Sequence, residues 1–370
     1  DQEALDLVKD MAPFPFVTLR LGEEAAGGPK TLAGNSLVTP WYEVKWNEAG
    51  QLTRIYDRKA DREILPEGGR GNVLQVFEDK PRAFDAWELE PTIDLKREEV
   101  TDLSEVSVRE HALGWEVDFV WNYHNSCIRQ TMCLYREKKR IDFKTTVDWK
   151  EHQKVMKTCF PMEIRAVDAR FDIQDGNIRR PITRNTSWES AKFEVVAHKW
   201  VDLWETGYGV ALLNDCKYGH DIKEGAVRLT LLKSAIDPDY CADNEIHEFT
   251  YSLLPHDCEW YEAGIEQEAF DLNNVLTAKA GRPVFEGSLF AFDRKNVSVD
   301  AVKMAENGSE IVLRFHEFEG ARGKVTIRCG LPVKEWCLAN LMEEPESAWS
   351  KEPICLPVKP YEIVTVMLRF

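Results

Sequence analysis

The 370-residue sequence contains no run approaching the ~18 consecutive apolar residues a membrane-spanning helix needs. That excludes a helical membrane protein. Its 47 Lys and Arg are outnumbered by 64 Asp and Glu, for a net charge of −17. Basic clusters that would grip nucleic acid or an anionic membrane surface are therefore opposed by acidic neighbours, and a neutral or cationic ligand fits better. Nine cysteines are scattered from Cys127 to Cys355 without a C-x-x-C pair. Their odd number and irregular spacing predict neither a disulfide framework nor a structural zinc site, and a reducing cytoplasm is the simpler setting. Internal repeats, low-complexity tracts and a signal peptide are also lacking, so the N-x-S/T triplets at Asn185, Asn296 and Asn307 are not expected to be glycosylated. The chain opens at Asp1 rather than Met, as an excised piece of a longer chain would.

Apolar material is plentiful: 44% of the residues, with 12 Trp and 17 Phe. Hydrophobic cores stop growing near ~250–300 residues, so the length predicts two domains. Alternation dominates. Trp115, Val117, Phe119 and Trp121 share one face against Glu116 and Asp118, and Ile141, Phe143, Thr145 and Val147 oppose Asp142, Lys144 and Thr146. Strands are also predicted at Cys127–Tyr135, Phe193–Lys199, Tyr208–Leu213, Val227–Leu232 and His247–Leu254. Charged "REKK" (136–139), "DGN" (175–177), "TGYG" (206–209) and "EG" (224–225) supply the turns between them. Only "DQEALDLVKDM" at the start has helical spacing. A polar linker, "NNVLTAKAGRP" (273–283), separates this region from short strands at Val297–Ala301, Ile311–Phe318, Val325–Cys329 and Tyr361–Phe370. The expected fold is all-β and of sandwich type.

Chemical motifs are sparse. His198, His220, His247, His256 and His316 form no H-x-H or H-E-x-x-H spacing, so no metal site is predicted from them. G-x-S-x-G is absent and Ser187 lies in no nucleophile elbow. Asp237, Asp239 and Asp243 could supply a carboxylate pair, but around Pro238 they read as turn residues. Aromatic-rich polar loops at 84–90, 184–194 and 198–209 suit either a sugar-binding surface or a core. The stretch "NDCKYGHD" (214–221) follows the apolar run 208–213 and crowds ionisable groups at a strand end.

Several separated blocks, in the same order, resemble the C-terminal half of glycoside hydrolase family 38 α-mannosidases, nearest to the cytosolic and bacterial-type branch. They are "NSLVTPWYEVKWNEAGQLTRIYDRKADREIL" (35–65), "FEDKPRAFDAWELE" (77–90), the long block from Asn177 to His256 that contains N-D-C-K-Y-G, and the terminal "PYEIVTVMLRF". The resemblance implies a lead-in segment over 1–34, a large galactose-mutarotase-like antiparallel super-sandwich over 35–272 and a smaller β-sandwich over 284–370. It implies a retaining α-mannosidase as parent, acting on mannosides in oligosaccharides. Zinc, nucleophile and acid/base would lie in an upstream (β/α) barrel of the same chain. Catalytic residues, metal ligands and cofactor are then expected to be none here. Asp215, Lys217, Tyr218 and Asp221 would form an interface or substrate rim, and Arg228 or Lys233 would fill a basic position reaching the mannose site. A stand-alone carbohydrate-binding or mutarotase-like sandwich is the alternative. A homo-oligomeric scaffold is a further one, and neither nucleic acid nor a membrane is an expected partner.

Overall fold

In a computed structural model, residues 15–16, 30–276 and 287–370 are described. They fall into two compact units, one of 1–24, 174–177 and 277–370 and the other of 25–173 and 178–276. All described strand pairings detailed below are antiparallel, and the fold is nearly all β.

In the larger unit the central strands of a ten-stranded sheet are Tyr208–Asn214, Ile246–His256, Ile141–Asp148, Ser126–Tyr135 and Gly114–Tyr123, hydrogen-bonded in that order. A six-stranded sheet runs Val195–Val196, Gly219–Lys223, Ala226–Ser234, Lys154–Pro161, Val73–Glu78 and Arg97–Glu99. A four-stranded sheet over Ser36–Val38, Tyr42–Trp46, Leu52–Asp57 and Arg62–Glu63 completes it. The alternation predicted from sequence explains the packing. Val117, Phe119, Phe143, Leu212 and Leu253 of the large sheet share one buried cluster with Leu74, Val76, Met156, Phe160, Val227 and Leu229 of the six-stranded one. Phe119 stacks on Trp121 with centroids 5.2 Å apart, and Phe143 on Tyr251 at the same separation. Gly50 is required where it stands: its φ is +73°, and an added Cβ would come within 2.7 Å of the Trp121 ring, whose Nε1 donates to the Ala49 carbonyl at 2.8 Å.

Within this core sits a small polar network. Asn72 Nδ2 donates to Gln130 Oε1 (2.6 Å), Gln130 Nε2 to Thr145 Oγ1 and to the Tyr251 hydroxyl (both 2.8 Å), and that hydroxyl to Asn72 Oδ1 (2.6 Å). All four residues are buried, and their mutual hydrogen bonds offset the desolvation that burial imposes.

The other face of the large sheet is covered by a helix, Ile265–Asn273. Trp200, on that face, donates to Glu266 Oε2 at 2.8 Å and stacks on Trp260 at 5.4 Å. Arg140 spans Asp142 (2.7 Å) and Glu268 (3.0 Å), which is why Asp142, expected on a solvent face, is buried. This helix corrects the expectation that only the N-terminal stretch is helical. Of its nine residues only Ile265, Glu266 and Ala269 are buried, and the stripe Ile265, Ala269, Leu272 spans barely two turns, too short to stand out as a period. The N-terminal helix itself, and residues 277–283 of the expected linker, lie outside the described residues. The strand expected over Phe193–Lys199 shrinks to Val195–Val196, because Glu194 is drawn aside to Lys157 and Thr230.

The smaller unit has a four-stranded sheet ordered Val297–Met304, Ile311–Glu317, Ile363–Arg369 and Glu335–Ala339, and a three-stranded sheet of Phe290–Phe292, Gly323–Cys329 and Cys355–Val358. Leu313, Phe315, Val366 and Leu368 of the first share a core with Val325, Ile327 and Leu356 of the second.

Candidate functional site: the outer face of the six-stranded sheet

Because side chains alternate across a strand, the residues between the core positions of the six-stranded sheet all point away from the core. These are Gln75 and Phe77, Lys157 and Cys159, Arg228 and Thr230, and Asp221. Asp221 and Arg228 are register partners on adjacent strands. Arg228 Nε lies 2.6 Å from Asp221 Oδ1, and Lys157 Nζ lies 2.8 Å from Asp221 Oδ2. Lys157 also pairs with Glu194, which accepts from the Thr230 hydroxyl at 2.6 Å. Arg228 reaches on to Asp94 at 2.7 Å, and Lys223 lies 3.8 Å from the same carboxylate. The cluster thus holds three cations (Lys157, Lys223, Arg228) and three anions (Asp94, Glu194, Asp221), and balances. Burial works against the charge of Arg228, yet Asp94 and Asp221 outweigh it and hold its pKa above the ordinary value. Burial likewise opposes ionisation of Asp94, and Arg228 overcomes it, leaving the carboxyl below its usual range.

Two loops are fixed to the face by these contacts. Residues 79–95 are tied by Asp94 and, further along, by Lys233, which pairs with Asp79 and donates to the Glu88 carbonyl at 3.0 Å. In Asp79 burial prevails over Lys233, and the pKa rises. The second loop, 184–194, is tied by Glu194 and contains a short helix, Ser187–Ala191, closed by a capping box between Thr186 and Glu189. These loops leave Phe84, Trp87 and Trp188 exposed. Two buried acceptors, Gln75 Oε1 on the Val73–Glu78 strand and Asp85 Oδ1 in the 79–95 loop, meet no donor among the described residues.

The structure therefore divides the six residues singled out in the sequence. Asp221 and Arg228 are joined at the centre of the face, and Lys233 anchors the 79–95 loop. Asp215, Lys217 and Tyr218 lie in the turn after Tyr208–Asn214, and no hydrogen bond or ion pair among the described residues joins them to the other three. In that turn Asn214 Oδ1 accepts from the amides of Cys216 (3.1 Å) and Lys217 (2.6 Å). Asp215 Oδ2 accepts from the Thr250 amide at 2.9 Å, Lys217 Nζ sits 4.5 Å from the centre of the Phe249 ring, and Tyr218 is exposed. His220, on the core side, is fully buried; its Nδ1 lies 3.1 Å from the Tyr218 carbonyl, and burial pushes its pKa down to about 4. Sequence reading missed Lys157, Glu194 and Asp94. The one signal was Lys157 itself, a charge at a strand position whose neighbours Val155, Met156, Thr158 and Cys159 are all uncharged.

Every carboxylate of the cluster is engaged by a cation, so the face presents fixed, compensated charge rather than a nucleophile or a general acid with a free partner. For the same reason these residues do not fit a catalytic zinc. Among the described residues, ligand-type atoms do come within 4.8 Å of one another in two other sets, Asp243 with Glu245 and His247, and Asp175 with Asp300 and His316.

Residues 37–241 match the family model "Glycosyl hydrolases family 38 C-terminal domain", and residues 296–366 match "Glycosyl hydrolases family 38 C-terminal beta sandwich domain". Alpha-mannosidase 2C1 of Homo sapiens is 34% identical over 338 residues, 88% of this chain and 32% of that protein. Alpha-mannosidase G of Dictyostelium discoideum is 32% identical, over 85% of this chain and 31% of its own length. The chain spans about a third of the length of these relatives. The crystal structure of an alpha-mannosidase from Enterococcus faecalis V583 shares the fold, with a TM-score of 0.73 over 94% of this chain and 43% of that one, at 17% identity. With a family model covering more than half of its residues, and the charged face lying within that match, the chain belongs to glycosyl hydrolase family 38, of which it carries the C-terminal β domains.

Proposed function

We propose that this chain is the C-terminal part of a retaining α-mannosidase that hydrolyses α-mannosidic bonds in oligosaccharides, and that the outer face of the six-stranded sheet docks on a zinc-dependent catalytic barrel and shapes its substrate pocket. The observation that carries this reading is the combination on that face of self-balanced charges, which need no counter-ion from a partner, with the exposed rings of Phe84 and Trp87. A surface that later buries its rings brings apolar area to the contact without leaving a charge unpaired. In this reading the chain's own residues hold and orient. Asp221 holds Arg228 and Lys157, these fix Asp94 and Glu194, and the loops anchored in that way carry the aromatic rim. Nine free cysteines fit a reducing cytoplasm as its setting, and no described helix is long and apolar enough to cross a membrane.

The test has two parts. The isolated chain should not cleave an activated mannoside, and turnover that survives purification to homogeneity would overturn the assignment of the chemistry to an upstream barrel. In the full-length parent, Trp87→Asp should lower kcat/KM or the melting temperature while leaving the melt of the isolated chain unchanged. A parent variant indistinguishable from wild type in both would remove docking on this face. The exposed Trp188 favours, as a second reading, a carbohydrate-binding surface that acts alone. Mannoside binding by the isolated chain, lost in Trp188→Ala, would decide for it.

A further inference from the structure

Asp175, Asp300 and His316 are far apart in sequence and all belong to the smaller unit. Three separate devices bring their side chains together. His316 lies on the Ile311–Glu317 strand and is 6% exposed. Opposite, Ser298 pairs with His316 and Val299 with Phe315, but Ala301 with Arg314, so Asp300 is the extra residue of a β-bulge. Bulges re-aim a side chain, and this one turns Asp300 onto the imidazole, with Oδ1 2.8 Å from Nδ1. The third member, Asp175, occupies a turn at a φ of +52° with Oδ1 3.9 Å from the same Nδ1. That turn is held on both sides of its next residues: Asn177 Nδ2 donates to the Phe318 carbonyl at 2.7 Å, and Gly176 packs so close to the Tyr361 ring that a Cβ there would lie 2.8 Å from it.

The electrostatics point the same way. Among the described residues neither Asp175 nor Asp300 has a Lys or Arg within ion-pair distance; the only cationic partner of either is the imidazole. Two carboxylates converging on one ring nitrogen, with the ligand atoms within 4.8 Å of one another, form an electron-rich pocket. A proton on Nδ1 compensates only one of the two negative charges. A dication replacing that proton compensates both.

We propose that Asp175, Asp300 and His316 bind a single divalent first-row transition ion, one nitrogen and two carboxylate oxygens from the protein with water completing the shell. The imidazole favours Mn2+, Zn2+ or their neighbours over Ca2+, which prefers an all-oxygen set. The ion locks the 174–177 turn onto the two strands of the smaller unit. The second set is a weaker candidate, since its three members lie within five residues of chain and His247 Nε2 is already engaged by the Asp243 carbonyl at 2.8 Å.

Mn2+ is the probe, because exposed Cys216, Cys241 and Cys355 would capture softer ions. Titration of the untagged chain, followed by loss of the free Mn2+ paramagnetic resonance signal, should give one ion per chain. Asp300→Asn and His316→Gln should each weaken binding at least about tenfold, and His247→Gln should leave it unchanged. Asp175→Asn, at an exposed turn, supplies a variant whose folding is not at stake and should also weaken it. Mn2+ should raise the melting temperature of wild type and not of Asp300→Asn. The proposal is overturned if wild type shows no saturable site, or if binding survives Asp175→Asn and Asp300→Asn and is lost instead in His247→Gln.

Discussion

Asp221 and Arg228 face each other across neighbouring strands, Oδ1 to Nε 2.6 Å, and each is shared with a second partner, Lys157 on one side and Asp94 on the other. Both are buried, so the pair is a link in a charge chain rather than a surface contact. Removing Arg228 leaves two buried or half-buried carboxylates short of a counter-charge, Asp221 with Lys157 alone and Asp94 with only the more distant Lys223. Arg228→Ala should therefore destabilise the chain by roughly 3 kcal/mol, the scale for breaking a buried pair. Asp221→Asn, which leaves Arg228 its Asp94 partner, should cost less. Urea unfolding of both variants checks this, and equal or negligible costs would contradict it.

Acid should act through His220. Its folded pKa is near 4 against an ordinary value of 6.5, because burial disfavours the cation. Below 6.5 the unfolded chain takes up a proton that the folded chain refuses until about 4. Stability from this group is complete above 6.5 and lost as pH falls between those limits, by about 3 kcal/mol in all. His220→Asn should flatten the pH dependence of unfolding over that interval. A variant with the slope of wild type would assign acid sensitivity to other groups.

Gly209 is expected to tolerate no side chain. A Cβ there would collide with the ring of His256, which cannot turn aside because its Nε2 is 3.0 Å from Asp202 Oδ1 and its Nδ1 2.7 Å from the Cys258 carbonyl. Gly209→Ala should lower stability by about 1–3 kcal/mol, as overpacking does. Thermal denaturation gives the answer directly.

The turn at 214–218 should separate into structural and exposed members. Asp215→Ala removes the acceptor of the Thr250 amide and should cost about 1–2 kcal/mol, whereas Tyr218→Ala should stay within about 0.5 kcal/mol. If this turn forms part of a substrate rim, Tyr218→Ala in the full-length parent lowers kcat/KM without shifting the melt.

The sheets were legible because their signal is local: Trp115 to Trp121 and Ile141 to Val147 alternate within a few residues, and the structure buries the predicted faces. The charged face was not, because its partners pair across the chain. Lys157 finds Glu194 and Asp221, and Arg228 finds Asp94, at separations of 37, 64 and 134 residues that no spacing rule reaches. The sequence marks Asp221 as a rim residue and Arg228 as a basic position toward the mannose site, but not as a pair; their joining follows from the hairpin register at Glu224–Gly225. No tight motif contains the histidines, so spacing marks none of them as a ligand, and the grouping of His316 with Asp300 depends on a bulge that periodicity cannot display.

The polar network of Asn72, Gln130, Thr145 and Tyr251 has a consequence for how the two large sheets recognise each other during folding. Purely apolar faces would tolerate sliding, since one aliphatic contact substitutes for another. Here Gln130 must meet Thr145 and Tyr251 on its own sheet and Asn72 from outside it, all at 2.6 to 2.8 Å. Displacing either sheet by one residue would turn these groups outward or leave them unmet in a dry interior. The network acts as a key that admits one alignment, so its loss should show less in the depth of the native well than in the number of wells beside it.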